Sequence, residues 1–136
     1  MSSAGVLQLF DIRGKDELEA LIEIEEKEED TGKGRRLLCS ACGNAITTQD
    51  QGFSVNGSHE HTHTNPHGIT YHIGCFRQAS GCGHVGPATD EYTWFPGYRW
   101  QVAVCGNCGE HVGWLFRGSG GDSFHGLILA RLVSEQ

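Results

Sequence analysis

The chain lacks three features that would place it in common functional classes. No apolar run approaches the roughly 20 residues that span a bilayer, so we predict no membrane segment. The formal charge of −7 leaves no basic surplus with which to neutralise phosphates, so we predict no nucleic-acid partner. The N-terminus has no basic start followed by an apolar stretch and a small-residue cleavage site, which favours a cytoplasmic protein.

Apolar residues are scarce as well. They make up 38% of the 136 residues, whereas glycine alone contributes 20. A chain of this length is near the usual size of a single domain with one hydrophobic core. The low apolar share and the abundance of glycine therefore predict a turn-rich, mostly β domain that is stabilised by something in addition to its core.

Cysteine, tryptophan and histidine are all absent from residues 1–36, which carry ten acidic and six basic side chains. Apolar residues recur there at helical spacing after Asp16, which can act as an N-cap. We therefore predict that residues 1–36 form an acidic arm and linker, partly helical or disordered, and that residues 37–136 form the folded domain. A solvated arm is favoured over an acidic docking tail.

Short segments rich in β-branched and aromatic residues follow the arm, each bounded by glycine, asparagine or proline. Such segments, about 4–8 residues long, are typical of strands. We predict strands at GFSV (52–55), GITYHIGCF (68–76), YRWQVAVC (98–105) and HVGWLF (111–116), and one helical turn at 77–80. The segment SFHGLILARLV (123–133) is apolar on both alternations, so periodicity does not distinguish a buried strand from a helix; we interpret it as a strand.

Two matching Cys-x-x-Cys-Gly units predict a metal site. Two cysteines three positions apart chelate one ion through a tight turn, and two such turns supply the four thiolates of a closed, structural zinc site. Cytoplasmic thiols stay reduced, which also favours a metal over disulfides. We predict a structural zinc held by Cys39, Cys42, Cys105 and Cys108, which would join distant parts of the chain. The alternative is two independent redox or free-thiol pairs.

Two cysteines and a histidine-rich stretch lie outside these units. Cys75 has apolar neighbours and is predicted to be a buried structural thiol; a nucleophilic role for it or for Cys82 is less favoured. The alternating histidines would share one face of an extended segment, in a polar surface strand or loop. A second metal there is the less favoured alternative, because no matching cysteine or carboxylate cluster occurs elsewhere. The histidines are His59, His61, His63 and His67.

All three tryptophans lie close to the second cysteine unit. Trp94 and Trp100 flank a Pro-Gly turn, where the backbone lies at a surface, and residues 92–100 contain no aliphatic side chain. We therefore predict that Trp94, Trp100 and Trp114 are walls of a pocket and not only core. Three indoles at right angles would form a cage for either a cation or a compact neutral ring.

The order of these motifs resembles the cereblon thalidomide-binding (CULT) domain family, in a form that also occurs alone in bacteria. The resemblance rests on Cys-x-x-Cys, Asn-Pro-His-Gly (65–68), Trp-Phe-Pro-Gly-Tyr-x-Trp (94–100), the second Cys-x-x-Cys and His-x-Gly-Trp-x-Phe (111–116). It covers about Leu37 to Val133. It implies a β-tent, in which a four-cysteine zinc site pins two roughly perpendicular antiparallel sheets, and a non-catalytic binding module.

The same resemblance implies the ligand. The family binds cyclic imides, namely glutarimide and succinimide rings, thalidomide-type drugs and C-terminal cyclic imide degrons on damaged proteins. The implied partners are therefore such small molecules or peptides, and we expect a monomer. The ring N–H and one carbonyl would bond to backbone between Tyr92 and Trp94, under a mobile loop that carries Asn65. The implied ligand-binding residues are Asn65, Pro66, Tyr71, Tyr92, Thr93, Trp94, Trp100, Trp114 and Phe116.

Two other functions are compatible with parts of the pattern. Zinc-containing methionine sulfoxide reductases share the β-tent and paired cysteine units, and would use Cys75 or Cys82 as a low-pKa nucleophile, although neither is flanked by arginine. A reader of methylated ammonium groups would need a carboxylate beside the cage, and the acids near it in sequence are Asp90, Glu91 and Glu110. No base–nucleophile pair is placed for hydrolysis of an imide.

Overall fold

The structure is a computed structural model that describes residues 34–135. The helical spacing expected after Asp16, and nearly all of the predicted acidic arm, lie outside the described residues. Within them the chain is almost entirely strand and turn, with short 3-10 turns at Gln49–Gln51 and Leu129–Arg131. No helix in this part of the chain is long and apolar enough to cross a membrane.

The strands of residues 34–135 form two antiparallel sheets, which confirms the predicted fold class. The small sheet has the order β2-β1-β9, and the large sheet has the order β3-β4-β8-β7-β6-β5. The bounds are β1 Arg36–Cys39, β2 Ala45–Thr48, β3 Glu60–Thr64, β4 Thr70–Phe76, β5 Cys82–Thr89, β6 Tyr98–Cys105, β7 His111–Gly118, β8 Ser123–Ile128 and β9 Leu132–Ser134.

Two packed clusters hold the sheets together. The first joins side chains of both sheets around Leu37, Ile46 and Leu127. The second is mostly aromatic and lies on one face of the large sheet, where the register places Trp100, Phe116 and Phe124 side by side on adjacent strands. Cross-strand aromatic neighbours of this kind stabilise a sheet and fix its register. The aromatic cluster forms the base of the candidate site.

One glycine is required beneath that base. Gly126 lies on β8 between the aromatic neighbours, and a Cβ atom there would stand 2.9 Å from both the Phe116 ring and the Ile73 side chain. Real Cβ atoms do not approach other atoms so closely, so a larger residue would displace one of these side chains. Gly126 therefore sets how deep the Phe116 ring sits in the sheet.

Several sequence predictions differ from the structure. The segment 52–55 is not a strand, since it makes only isolated bridges at Gly52 and Val55. Residues 77–80 contain no helical turn. Strand β5 was not predicted, because its glycines and Pro87 are typical of loops; it is an edge strand whose pairing with β6 shifts register between Val85 and Thr89, around that proline.

The C-terminal segment is also more complex than one strand. Residues 123–133 divide into β8 of the large sheet and β9 of the small sheet, with the 3-10 turn Leu129–Arg131 between them. Strand β8 is buried at every position from Phe124 to Ile128, because one of its faces meets the small sheet and the other meets the aromatic cluster. Burial on both faces removes the alternation that would have identified a strand.

Candidate ligand-binding cage and metal centre

The four cysteines of the two matching units are brought together. Their sulfurs all lie within 4.8 Å of one another. The Sγ atoms of Cys39 and Cys108 are 3.7 Å apart, and those of Cys42 and Cys105 are 3.6 Å apart. Zinc–sulfur bonds of about 2.3 Å in a tetrahedron place the sulfurs about 3.8 Å apart, so this cluster could hold one metal ion with little movement.

The two cysteine turns have the same backbone geometry. Gly43 and Gly109 are left-handed, with φ of 81° and 82°, and their N–H groups donate to the carbonyls of Cys39 and Cys105 at 2.8 and 2.9 Å. Glycine adopts this conformation without steric cost, which is why it follows the second cysteine in each unit. The first cysteine of each unit ends a strand, β1 or β6, so the cluster ties the two sheets together.

Two asparagines that the sequence analysis missed surround the sulfurs. The side-chain N–H groups of Asn107 and Asn44 donate to Cys42 and Cys105 at 3.4 and 3.6 Å. The thiolate of Cys42 is favoured, because the Asn107 side chain, followed by the Asn44 backbone, lowers the pKa of Cys42 to about 6. Deprotonated sulfur is the form that binds metal, so both asparagines assist ligation.

The remaining two cysteines are protonated thiols at neutral pH. Burial raises the pKa of Cys75 to about 11, and burial together with the nearby Cys105 raises that of Cys82 to about 12. A catalytic cysteine needs the opposite shift, because only the thiolate is strongly nucleophilic. The local chemistry therefore disfavours the reductase alternative for Cys75 and Cys82.

A cavity of about 420 Å³ opens beside the aromatic cluster. It is formed by the loop between β3 and β4, the loop between β5 and β6, and one face of strands β6 and β7. Among the described residues, no lining side chain is a carboxylate, so the cavity offers no counter-charge for a cation. The lining residues are Asn65, Pro66, His67, Tyr92, Trp94, Trp100, Trp114 and Phe116.

The three indoles come from different segments, and all three line the cavity. Trp100 on β6 and Trp114 on β7 are placed by the strands, whereas Trp94 lies in the loop that precedes β6. The rings of Trp94 and Trp114 have centroids 4.8 Å apart and planes inclined by 72°. The Trp100 indole N–H donates to the Glu91 carbonyl at 2.8 Å, which ties this wall to the loop.

The loop at residues 90–97 is anchored by a residue that sequence reasoning did not single out. Phe95 is almost fully buried, and its ring contacts Phe116 and Phe124 at 4.8 and 5.2 Å. Thr93 does not line the cavity; its hydroxyl donates to the Phe95 carbonyl at 3.3 Å and closes the turn. With Phe95 fixed in the core, the neighbouring Trp94 is held at the cavity.

Backbone polar groups of this loop are left unpaired. Within residues 34–135, neither the carbonyl of Tyr92 nor the N–H of Trp94 makes a hydrogen bond. Tyr92 has a left-handed backbone, with φ of 56°, which is costly for a non-glycine residue. Its side chain is 74% exposed at the cavity mouth. Strained backbone conformations cluster at active sites and ligand clamps, so these two groups are candidates for contact with a ligand.

The loop between β3 and β4 is closed by Asn65. Its side-chain oxygen accepts hydrogen bonds from the N–H groups of His67 and Ile69, both at 2.9 Å, and Gly68 has a φ of 84°. The loop contributes Asn65, Pro66 and His67 to the cavity lining. The Asn65 oxygen is therefore used within its own turn. His67 lines the cavity as well, although it was not among the predicted ligand-binding residues.

Tyr71 supports the cage without lining it. Its ring makes an edge contact with Trp114 at 5.0 Å and a tilted contact with Trp94 at 6.3 Å. Just before the neighbouring strand β3, His59 donates to the Phe53 carbonyl at 3.1 Å; on β3 itself, His61 contacts the Val55 and Ser58 carbonyls at 3.0 and 2.9 Å. These histidines tie β3 to the preceding loop.

The alternating histidines His61 and His63 do share one face of β3, as predicted. That face is half-buried against the aromatic cluster, since His61 and His63 both contact Phe95. The segment is a polar edge strand, as predicted, and it is exposed at Glu60, Thr62 and Thr64. Among the described residues, the four cysteines form a group of potential metal ligands that lie close together. None of these histidines belongs to such a group of three or more within that part of the chain.

Comparison with known proteins identifies the domain. No protein-family model matches the chain. It is 33% identical to cereblon of Gallus gallus over 103 residues, which are 71% of this chain and 23% of that protein. It is 35% identical to cereblon of Xenopus tropicalis over 82 residues, 59% of this chain and 18% of that protein. Cereblon of Drosophila melanogaster is 29% identical over 84 residues, 60% of this chain and 14% of that protein.

The chain thus spans a quarter or less of the length of these curated relatives. The likeness is to one domain of cereblon and carries no statement about the rest of that protein. The two antiparallel sheets and the four-cysteine cluster agree with the fold that the motifs imply. From the sequence relationship and the fold together, this chain contains a cereblon-like (CULT-like) domain.

Proposed function

We propose that this domain is a non-catalytic binding module that holds cyclic imides in its tryptophan cage. The observation that carries the proposal is the pairing of an indole-walled cavity with an unpaired backbone acceptor at Tyr92 and donor at Trp94. An imide offers the complementary pair, a ring N–H and a carbonyl, on one compact ring. Its polarised CH₂ groups would face the indoles.

The energetics favour a neutral polar ligand. A ligand that pairs with both the Tyr92 carbonyl and the Trp94 N–H gains two hydrogen bonds, each worth about 0.5–1.5 kcal/mol net. A glutarimide ring has about eight heavy atoms, and half the ceiling for very small ligands gives about −6 kcal/mol, or a Kd of roughly tens of micromolar. Pockets for drug-sized ligands run from about 300 to 1,000 Å³, so this cavity also has room for a substituent on the ring.

The same ring chemistry also defines the peptide partners that we propose. A C-terminal cyclic imide on a damaged protein presents the same ring on a peptide, and the cavity is open at its Tyr92 side. We therefore propose thalidomide-type molecules and imide-ended peptides as ligands of one site. Zinc is proposed as the metal of the four-cysteine cluster, because four thiolates at this spacing suit its tetrahedral geometry. Its role would be structural.

The decisive experiment is calorimetric titration with glutarimide and with N-methylglutarimide at pH 7.5. Saturable binding of glutarimide, lost on N-methylation, would support both the cage and the Tyr92 acceptor. Trp100→Ala should abolish the binding while the protein stays folded by circular dichroism. The matched control is Val85→Ala, a half-exposed residue on edge strand β5 that does not line the cavity. Equal affinity of Trp100→Ala and the wild type would contradict the proposal.

A cation reader is the second candidate, and the geometry gives it less support. Recognition of a quaternary ammonium group by aromatic faces is usually aided by a carboxylate. Asp90, Glu91 and Glu110 do not line the cavity. Titration with tetramethylammonium in the same calorimeter distinguishes the two, since the cation reader predicts binding that competes with glutarimide.

A further inference from the structure

His63 lies behind one wall of the cage. Its imidazole stacks on the Trp94 indole with centroids 4.9 Å apart and planes inclined by only 13°. It meets the Phe95 ring edge-on at 5.6 Å. His63 is not among the residues that line the cavity, so it covers a part of Trp94 that a ligand would not touch.

The hydrogen bonding of His63 differs from that of the two histidines before it. His59 and His61 each place a ring nitrogen on a backbone carbonyl. The Nε2 atom of His63 is buried and has no hydrogen-bond partner within the described part of the chain. Packing alone would be served better by phenylalanine, which has no polar atom to bury. The unpartnered nitrogen therefore points to a role beyond packing.

Protonation of His63 would be unfavourable in this position. The groups that face it are His61 on the same strand, Tyr71 as its cross-strand neighbour on β4, and Trp94 and Phe95 from the loop at 90–97. None of them is an anion. Burial, with a smaller contribution from His61, lowers the pKa of His63 below its ordinary value. An imidazolium would gain some attraction to the indole face, but its Nε2–H would be buried without an acceptor.

We propose that His63 is a positioning residue of the cage, which holds Trp94 in its ligand-binding orientation while neutral and releases it when protonated. The proposal rests on the proposed imide-binding function. A charged His63 is stabilised by turning toward water, and that movement uncovers the rear of Trp94 and loosens the wall. The affinity for a cyclic imide then falls as the pH drops through the titration of His63, in the region below about 6.5.

The test is the pH dependence of glutarimide affinity between pH 5 and 8, measured by calorimetry on the full chain. Glutarimide carries no group that titrates in this range, so any slope belongs to the protein. We expect the wild-type Kd to rise about tenfold toward pH 5, the size of a typical coupling between residues in contact. His63→Phe keeps a flat ring and should bind with the wild-type Kd at pH 7.5 but without the slope. His63→Ala should bind about tenfold more weakly at every pH, because it removes the support altogether.

A second histidine serves as the control. His67 lines the cavity, whereas His63 does not, so His67→Gln should keep the wild-type slope if His63 is responsible. The proposal would be overturned by a slope that survives in His63→Phe, or by wild-type affinity in His63→Ala at pH 7.5.

Failure of imide binding at every pH would overturn the proposed function and not this packing role. The role is then judged on the unliganded protein by NMR. The Trp94 indole resonances should titrate together with the His63 imidazole in the wild type and stay constant in His63→Phe. Trp94 resonances that do not follow His63 would overturn the positioning role whether or not the imide binds.

Discussion

The indole N–H of Trp100 donates a hydrogen bond to the carbonyl oxygen of Glu91, 2.8 Å away. Trp100 is placed by strand β6, whereas Glu91 lies near the start of the loop that carries Trp94. The bond therefore connects a wall fixed by the sheet to a wall fixed by a loop. A neutral hydrogen bond contributes about 1 kcal/mol, enough to bias the loop without making it rigid.

Trp100→Phe tests this connection. The substitution keeps an aromatic wall but removes the N–H, so we expect glutarimide to bind about fivefold to tenfold more weakly, corresponding to the loss of one hydrogen bond. The measurement is calorimetric titration at pH 7.5. Trp100→Ala removes the wall as well and should bind more weakly still. If the Phe variant binds like the wild type, the bond to Glu91 has no role; if the Phe and Ala variants lose affinity equally, the aromatic wall adds nothing beyond that bond.

Removal of the metal should unfold the domain cooperatively. The four cysteines join β1 of the small sheet to β6 of the large sheet, and the apolar share of 38% leaves little core to replace that link. We expect one equivalent of zinc in the purified protein by mass spectrometry, and a loss of the thermal transition after chelation. Cys42→Ser should do the same. Ser40→Ala, in the same turn but with no ligand atom, is the matched control and should keep both metal and transition.

The grouping of the cysteines and of the tryptophans was easier to predict from the sequence than the strands around them. The cysteine units and the tryptophans are sparse, chemically distinctive residues at fixed spacing, so their grouping was visible without knowledge of the sheets. Strand β5 was not predicted, because Gly86 and Pro87 are typical of loops. It is an edge strand that forms through its pairing with β6. The assignment of β8 and β9 to different sheets depends on the short turn Leu129–Arg131, which has no sequence signature.

The supporting residues were the least predictable part of the site. In the sequence Phe95 is only one more aromatic residue of the motif, yet it anchors the loop through contacts with Phe116 and Phe124. In the same way, His63 is only one of several alternating histidines in the sequence. Its burial follows from which face of β3 meets the aromatic cluster, and that depends on the pairing of β3 with β4. Such choices are made by tertiary packing and are not encoded in local pattern.

Acid should destabilise the domain through the neighbouring histidines His84 and His125. His125 is buried on β8, and its Nε2 atom lies 2.9 Å from that of His84. Burial, then His84 and Arg117, lowers the pKa of His125 to about 4. The unfolded chain therefore binds more protons than the folded one between roughly pH 6.5 and 4, so the free energy of unfolding falls as the pH drops through that window, by on the order of 2–3 kcal/mol.

His125→Phe isolates this contribution. Urea unfolding at pH 7.5 and at pH 5 gives the pH-dependent loss of stability for each protein. Protonation of the metal-binding thiols affects the wild type and the variant equally, so it cancels in the difference between them. We expect the variant to lose less stability than the wild type. An equal loss in both proteins would assign the acid sensitivity to the metal centre or to other histidines.

A glycine beneath the cage offers a test that separates packing from direct ligand contact. Gly126→Ala would bring a Cβ atom to 2.9 Å from both the Phe116 ring and Ile73, so one of them has to move. Overpacking of this kind costs about 1–3 kcal/mol of folding stability, and a displaced Phe116 also changes the cavity that it lines. We expect a lower unfolding midpoint in urea together with weaker glutarimide binding.

The matched control is Gly83→Ala on edge strand β5. A Cβ atom there would meet only Val104, at an ordinary 3.8 Å, so stability and affinity should both stay near the wild-type values. A Gly126→Ala variant that is destabilised but binds glutarimide normally would show that the Phe116 ring can shift without affecting the ligand. The cage would then consist of the three tryptophans alone, with Phe116 as part of the sheet beneath them.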